Sequence, residues 1–156
     1  MHEAVPKVIH QDLKPENILI NDTLSVKICD MGHSKLSKMP ANFNTTTEEV
    51  AQGTPPYMAP ELLLLNQRAS THSDILALAC VLKELYSEKF IWPVYHIQDL
   101  QELFSRQAKP DLSDVPNFLR ALLCKCFHYV PHDRPKSKYS IKALEDYTNP
   151  QESDEE

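Results

Sequence analysis

The sequence predicts an α+β fold dominated by helix, and three observations carry that reading. Short strand-forming runs, Val8-Ile9, Ile18-Leu19-Ile20 and Val26-Lys27-Ile28-Cys29, all lie near the start of the chain. Helical apolar periodicity is confined to residues 61–147. A polar stretch rich in Ser, Thr and Asn, residues 33–52, separates the two regions. Strands first and helices after mark segregated rather than alternating elements. With 156 residues the chain has room for one domain and one core.

Each element has a local reason. Asn21-Asp22 is a turn signal between the second and third runs, so these two pair as a hairpin. The stretch 33–52 lacks periodicity and reads as a long loop, a length that compact domains usually reserve for function. Pro55, Pro56 and Pro60 hold 53–60 extended, and Glu61–Leu65 follows as a short helix. Ile75–Leu85 is the strongest helix, with Ser73 or a neighbour as cap and Asp74 in the first turn. It is apolar nearly all round, which places it in the middle of the domain. Ile97–Phe104, Pro116–Phe127 and Ser140–Tyr147 are weaker amphipathic helices, with Pro131 and Pro135 breaking the chain between the last two.

Composition excludes several functions. The chain has two glycines, Gly32 and Gly53. A G-x-G-x-x-G dinucleotide loop and a Walker phosphate loop both need more than these supply. The net charge of −6 owes four acids to the last five residues, so the body is nearly neutral. No strongly basic footprint for nucleic acid or a membrane surface is present. Residues 149–156 read as an acidic disordered tail. Cys29, Cys80, Cys124 and Cys126 have no C-x-x-C spacing and read as reduced, buried thiols of a cytoplasmic or nuclear protein. Cys124-x-Cys126 with His128 and His132 lacks a zinc-finger spacing, and no zinc site is expected.

The chemistry gathers beside the strands. Asp12, Lys14 and Asn17 follow the first run, and Asp30 ends the third next to Gly32. A hairpin of the second and third runs brings Asn17 and Asp30 together at its open end. An amide oxygen and a carboxylate are hard ligands that suit Mg²⁺. Lys14 supplies a point charge for phosphate oxygens, which leaves Asp12 free to accept a proton.

Taken together, these residues identify a family. His10-Gln11-Asp12-Leu13-Lys14-Pro15-Glu16-Asn17 resembles the H-R-D-L-K-P-E-N catalytic loop of eukaryotic protein kinases in their serine/threonine branch. Cys29-Asp30-Met31-Gly32 is similar to the D-F-G segment, and Gly53–Glu61 to the activation-segment end with its A-P-E. Ser73–Cys80 resembles the start of the buried central helix, and His132-Asp133-Arg134-Pro135 carries the arginine that closes the lower lobe. The resemblance implies the C-terminal lobe of a kinase-like fold over residues 1–148, with the hairpin carrying the catalytic and metal loops. It implies ATP-dependent phosphoryl transfer to a Ser/Thr hydroxyl of a protein substrate, with ATP and Mg²⁺ as cofactors. Asp12 would be the base and Lys14 the contact to the transferring group, with Asn17 and Asp30 on the metal. Leu19 would pack under adenine with Cys29 behind it. Thr54 would bond Asp12 and Lys14, Glu61 would pair with Arg134, and Asp74 would tie the central helix to the catalytic loop. His10 would pack beneath Met31.

The departures have consequences. Gln11 stands where many relatives have arginine and cannot grip a phosphate bidentately, so phosphorylation of Thr45, Thr46 or Thr47 is not expected to act through it. Met31 replaces phenylalanine, and Leu76 and Ala79 replace the commoner tryptophan and glycine. The glycine-rich loop, strand lysine and partner glutamate of an upper lobe are not in these 156 residues. The chain alone is therefore expected to be inactive, completed by an N-terminal lobe or a partner protein. The exposed face of the central helix would cost ~1.5–3 kcal/mol per large side chain. The competing expectation is a catalytically inactive half-kinase that acts as a protein-binding or regulatory module.

Overall fold

The computed structural model describes residues 1–30, 35–36 and 53–148. The tail 149–156, Met31 beneath which His10 was to pack, and Thr45–Thr47 lie outside them. The first part carries two small antiparallel sheets. Strands β2 (Ile18–Ile20) and β3 (Val26–Ile28) form the expected hairpin, with Leu19 opposite Lys27. Its turn is closed by Asn21, whose side-chain oxygen accepts from the amides of Thr23 at 3.1 Å and Ser25 at 2.8 Å. Strand β1 (Val8–Ile9) pairs with β4 (Lys35–Leu36). The sequence reading placed 35–36 in a loop, because two residues are too few to show a period of two.

Helices make up the rest: α1 (Pro60–Leu63), α2 (Thr71–Ser87), α3 (Ile97–Ser105), α4 (Asn117–Cys126) and α5 (Ser137–Thr148). Pro55–Tyr57 forms a 3₁₀ turn rather than an extended path, since a proline at each of the first two positions gives the φ that such a turn needs. Helix α2 starts earlier than its apolar run. Ser70 accepts from the amides of His72 and Ser73, and Ser73 Oγ accepts from the Ser70 amide at 2.9 Å, a reciprocal capping box.

Helix α2 is the axis of the core, packed against β1, α4 and the 3₁₀ turns. Cys80 and Leu123 are fully buried, and Trp92 meets Phe104 edge-on with centroids 5.2 Å apart. The helix is not apolar all round. Lys83 is buried, its ammonium donating to the Phe90 carbonyl at 3.2 Å, while Leu85 and Tyr86 face solvent. The large apolar exposure expected on this helix lies chiefly elsewhere. Leu19, Ile20 and Val26 of the hairpin are more than half exposed, at 56%, 59% and 60%. Cys80 and Cys126 are buried, and burial pushes the Cys126 thiol up to about 12. Cys124, read as buried, is exposed because it lies on the outward face of α4.

Arg134 closes the helical part. Both of its terminal nitrogens donate to the Glu61 carboxylate at 2.7 Å, and its remaining hydrogens go to the carbonyls of His128, His72 and Tyr129. His72 packs edge-on against His132, centroids 5.1 Å apart. Burial, then the nearby His132 and Arg134 charges, lower the His72 pKa below its ordinary 6.5, with Glu61 opposing and Lys136 adding.

Two outcomes follow. Glu61→Ala leaves the Arg134 guanidinium buried without its counter-charge, so stability should fall by ~3–5 kcal/mol in a denaturant titration. The unfolded chain takes up a proton at His72 more readily than the folded one. Stability from this group is therefore present above pH 6.5 and lost as pH falls through the folded value. A His72→Phe chain should show a flatter fall in Tm between neutral and mildly acidic pH than the parent.

Candidate functional site

Two loops and one helix build the site. The segment His10–Asn17 leaves β1, turns sharply at Gln11 with φ 76°, and enters a 3₁₀ turn at Pro15–Asn17. A non-glycine residue in this region is strained and persists only when its neighbours hold it. Asp74 of α2 does so: Oδ2 accepts from the His10 amide at 2.8 Å and Oδ1 from the Gln11 amide at 3.0 Å.

Asp12 sits at the centre. Oδ1 accepts from the Thr54 amide at 2.9 Å and the Thr54 hydroxyl at 2.8 Å. The Lys14 ammonium lies 3.0 Å from Oδ2 and donates to Thr54 Oγ1 at 2.9 Å. Asn17 Nδ2 donates to the Asp12 carbonyl at 2.8 Å and reaches Oδ2 at 3.4 Å. The bonds from Thr54 to Asp12 and from Lys14 to Thr54 are the ones the resemblance implied. Both oxygens carry donors, because Thr54 is brought across from forty-two positions away. Burial raises the Asp12 pKa, but the bonds from Lys14 and Thr54 outweigh it and hold the group below its usual value. The bond to Asp12 in turn raises Lys14, against a smaller opposing effect of burial.

Asn17 and Asp30 are linked through backbone: the Cys29 amide donates to the Asn17 carbonyl at 2.9 Å. Asp30 is exposed, with φ 58°, and contributes to the field that raises Lys14. An exposed carboxylate of this kind suits a hydrated, hard divalent cation such as Mg²⁺, which keeps most of its own water. Among the described residues no three His, Cys, Asp or Glu side chains gather to hold a metal. Leu19 of the hairpin is more than half exposed, and Cys29 is half-buried.

The sequence reading missed several contacts. His10 Nδ1 accepts from the Asp12 amide at 3.3 Å and Nε2 meets the Cys29 carbonyl at 2.9 Å, so its ring joins the two loops. Tyr57 donates to Glu84 Oε2 at 2.8 Å, and Glu84 Oε1 takes the Ile91 amide at 2.7 Å. His2 Nε2 lies 2.9 Å from Asp74 Oδ2. Only a polar residue at the right helical position could have signalled Glu84, and nothing in the pattern singled out His2.

The protein kinase domain family matches residues 1–144. The dual specificity protein kinases shkA and shkC of Dictyostelium discoideum are 30% and 32% identical to the chain, covering 94% and 93% of it. An extracellular signal-regulated kinase 1 of Candida albicans is 36% identical over 75% of the chain. The chain belongs to the protein kinase family. It spans 28%, 29% and 28% of the length of these three relatives.

Gly53 sets the distance between the two loops. Its φ is 140°, and a Cβ there would stand 3.1 Å from the Gln11 carbonyl oxygen and 3.2 Å from Met58 Cγ. Gly53→Ala should cost ~1–3 kcal/mol and move Thr54 off Asp12, seen as a lower Tm together with loss of protection at the Thr54 amide.

Proposed function

We propose that the chain is the C-terminal lobe, residues 1–148, of a protein kinase that transfers the terminal phosphoryl group of ATP to a serine or threonine hydroxyl of a protein. Residues 149–156 form its acidic tail. The observation that carries this reading is the Asp12 carboxylate held by Thr54 and Lys14 beside Asn17. Phosphoryl transfer runs through a loose transition state, so its catalyst positions groups and neutralises charge. Asp12 orients the acceptor hydroxyl and takes its proton. Lys14, already bonded to Thr54, faces the charge that develops on the transferring group. Asn17 and Asp30 would hold Mg²⁺, which supplies charge neutralisation at the phosphates. Leu19 and Cys29 would border the adenine. The Thr54 hydroxyl, spanning base and lysine, favours a small aliphatic acceptor and supports the serine/threonine assignment.

The low pKa of Asp12 suits this role. A carboxylate stabilised by three donors is a weak base at neutral pH, effective where the hydroxyl proton leaves late and orientation matters more than basicity.

A second reading is that the chain works as a binding module, completed by or docked on another protein. The exposed Leu19, Ile20 and Val26 favour it. Both readings can be separated in the natural polypeptide that carries this chain, assayed with ATP, Mg²⁺ and mixed Ser, Thr and Tyr peptides. Asp12→Asn should lower kcat by about 10²–10⁴-fold. No phosphoryl transfer by the unaltered polypeptide would favour the module, and transfer to tyrosine would overturn the serine/threonine part.

A further inference from the structure

Three histidines bracket the turn that leads into Arg134, and the carboxylates around them are already engaged. The 3₁₀ turn Pro131–Asp133 is closed by two backbone bonds of 3.1 Å, the Asp133 amide to the Val130 carbonyl and the Arg134 amide to the Pro131 carbonyl. Successive side chains of such a turn point about 120° apart, so His132 and Asp133 reach different partners. The His132 ring stands edge-on to His72 in the first turn of α2, centroids 5.1 Å apart. Asp133 Oδ2 lies 3.2 Å from His128 Nδ1, both side chains about half exposed. Arg134 anchors the end of the turn through two bonds of 2.7 Å to Glu61, while its bond to the His72 carbonyl is longer, at 3.2 Å.

The field at the His72 ring is one-sided. His132 and Arg134 face it from the turn, Lys136 from just beyond, and the positive end of the helix dipole from α2 itself. Glu61 favours a proton there, but both of its oxygens are on Arg134. Asp74, on the same turn of α2, holds the amides of His10 and Gln11 and the His2 ring, and Asp133 faces His128. Two rings in edge contact tolerate one charge between them. A second sets two like charges 5.1 Å apart beside a guanidinium, while these carboxylates are held by other partners.

We propose that the Pro131–Asp133 turn is a proton-operated latch on the N-terminus of α2. At neutral pH His132 rests on His72. When both rings are charged they repel, and the same fall in pH gives His128 the positive charge that attracts Asp133. One contact is lost and the other strengthened by a single change. The turn then pivots at Arg134, whose two bonds to Glu61 persist, and the His72 ring is uncovered. This opening is local, separate from the global loss of stability that His72 brings in acid. It does not rest on the kinase reading.

The test follows the rings by NMR in the natural polypeptide that carries this chain, its histidines isotope-labelled, from about pH 8 to about pH 5. A cross-peak between the His72 and His132 rings is expected at the upper end and lost at the lower, while the amides of Leu119–Leu123 in α4 stay protected. His132→Phe keeps an edge contact without a charge. Its contact with His72 should persist over the whole range, and the His72 titration should move up toward 6.5. Asp133→Asn removes the attraction for His128, so the ring contact should survive to lower pH than in the parent. A cross-peak absent throughout, one that persists to about pH 5 in the parent, or equal loss in His132→Phe would overturn the latch. Loss of protection in α4 at the same pH would overturn it too, since the change would then be global. An unchanged midpoint in Asp133→Asn would overturn the part given to His128.

Discussion

The whole site hangs from one buried carboxylate. Asp74 belongs to the first turn of the central helix, and it holds the amides of His10 and Gln11, more than sixty positions earlier. What it secures is a backbone turn that an unheld chain would not keep, since Gln11 has φ 76°. The constraint then passes on through contacts. A Cβ on Gly53 would stand only 3.1 Å from the Gln11 carbonyl oxygen, Gly53 leads into Thr54, and Thr54 returns two hydrogen bonds to Asp12. Helix α2 is buried along most of its length by α4 and the aromatic residues around Trp92. Its rigidity is therefore lent to a loop that has almost no apolar packing of its own beyond Ile9 and Leu13.

The electrostatics follow from that geometry. Asp12 is buried, which alone would raise its pKa, yet the two loops bring it an ammonium, a hydroxyl and an amide. The bonded form is the charged one, so the sign of the shift reverses. Arg134 and Glu61 show the same principle in a structural setting. There a buried pair is tolerable because each guanidinium nitrogen has an acceptor.

Those elements that depend on periodicity were legible in the sequence. Helices α3 and α4 appear within a residue or so of their apolar runs, since an amphipathic face of nine or ten residues is a strong signal. The start of α2 was not, because Ser70 and Ser73 act through a reciprocal bond that an apolar count ignores. Asp12, Lys14 and Asn17 were legible as a cluster because they share one short segment. The bond from Thr54 to Asp12, forty-two positions away, was legible only through the family resemblance, and Lys83 was not legible at all, since its carbonyl partners lie in the loop after its own helix. Sequence spacing reports which groups share a segment. It is silent on which distant donor saturates an acceptor.

The hairpin shows why this division matters for function. A two-stranded ribbon is marginal in water unless something else anchors it. The anchors here are polar: the Cys29 amide on the Asn17 carbonyl, His10 on the Cys29 carbonyl, and the Asn17 amide on Asp12. Leu19, Ile20 and Val26 contribute little to holding it, because their side chains are more than half exposed. These side chains, Leu19 on one face of the ribbon and the paired Ile20 and Val26 on the other, are thus not required by the core described above, and the position of Asn17 does not rest on them. A surface free to be apolar can meet another apolar surface without disturbing the groups beneath it. The open end of the same hairpin keeps Asn17 on Asp12 and on the Cys29 amide through bonds that such a contact would leave intact.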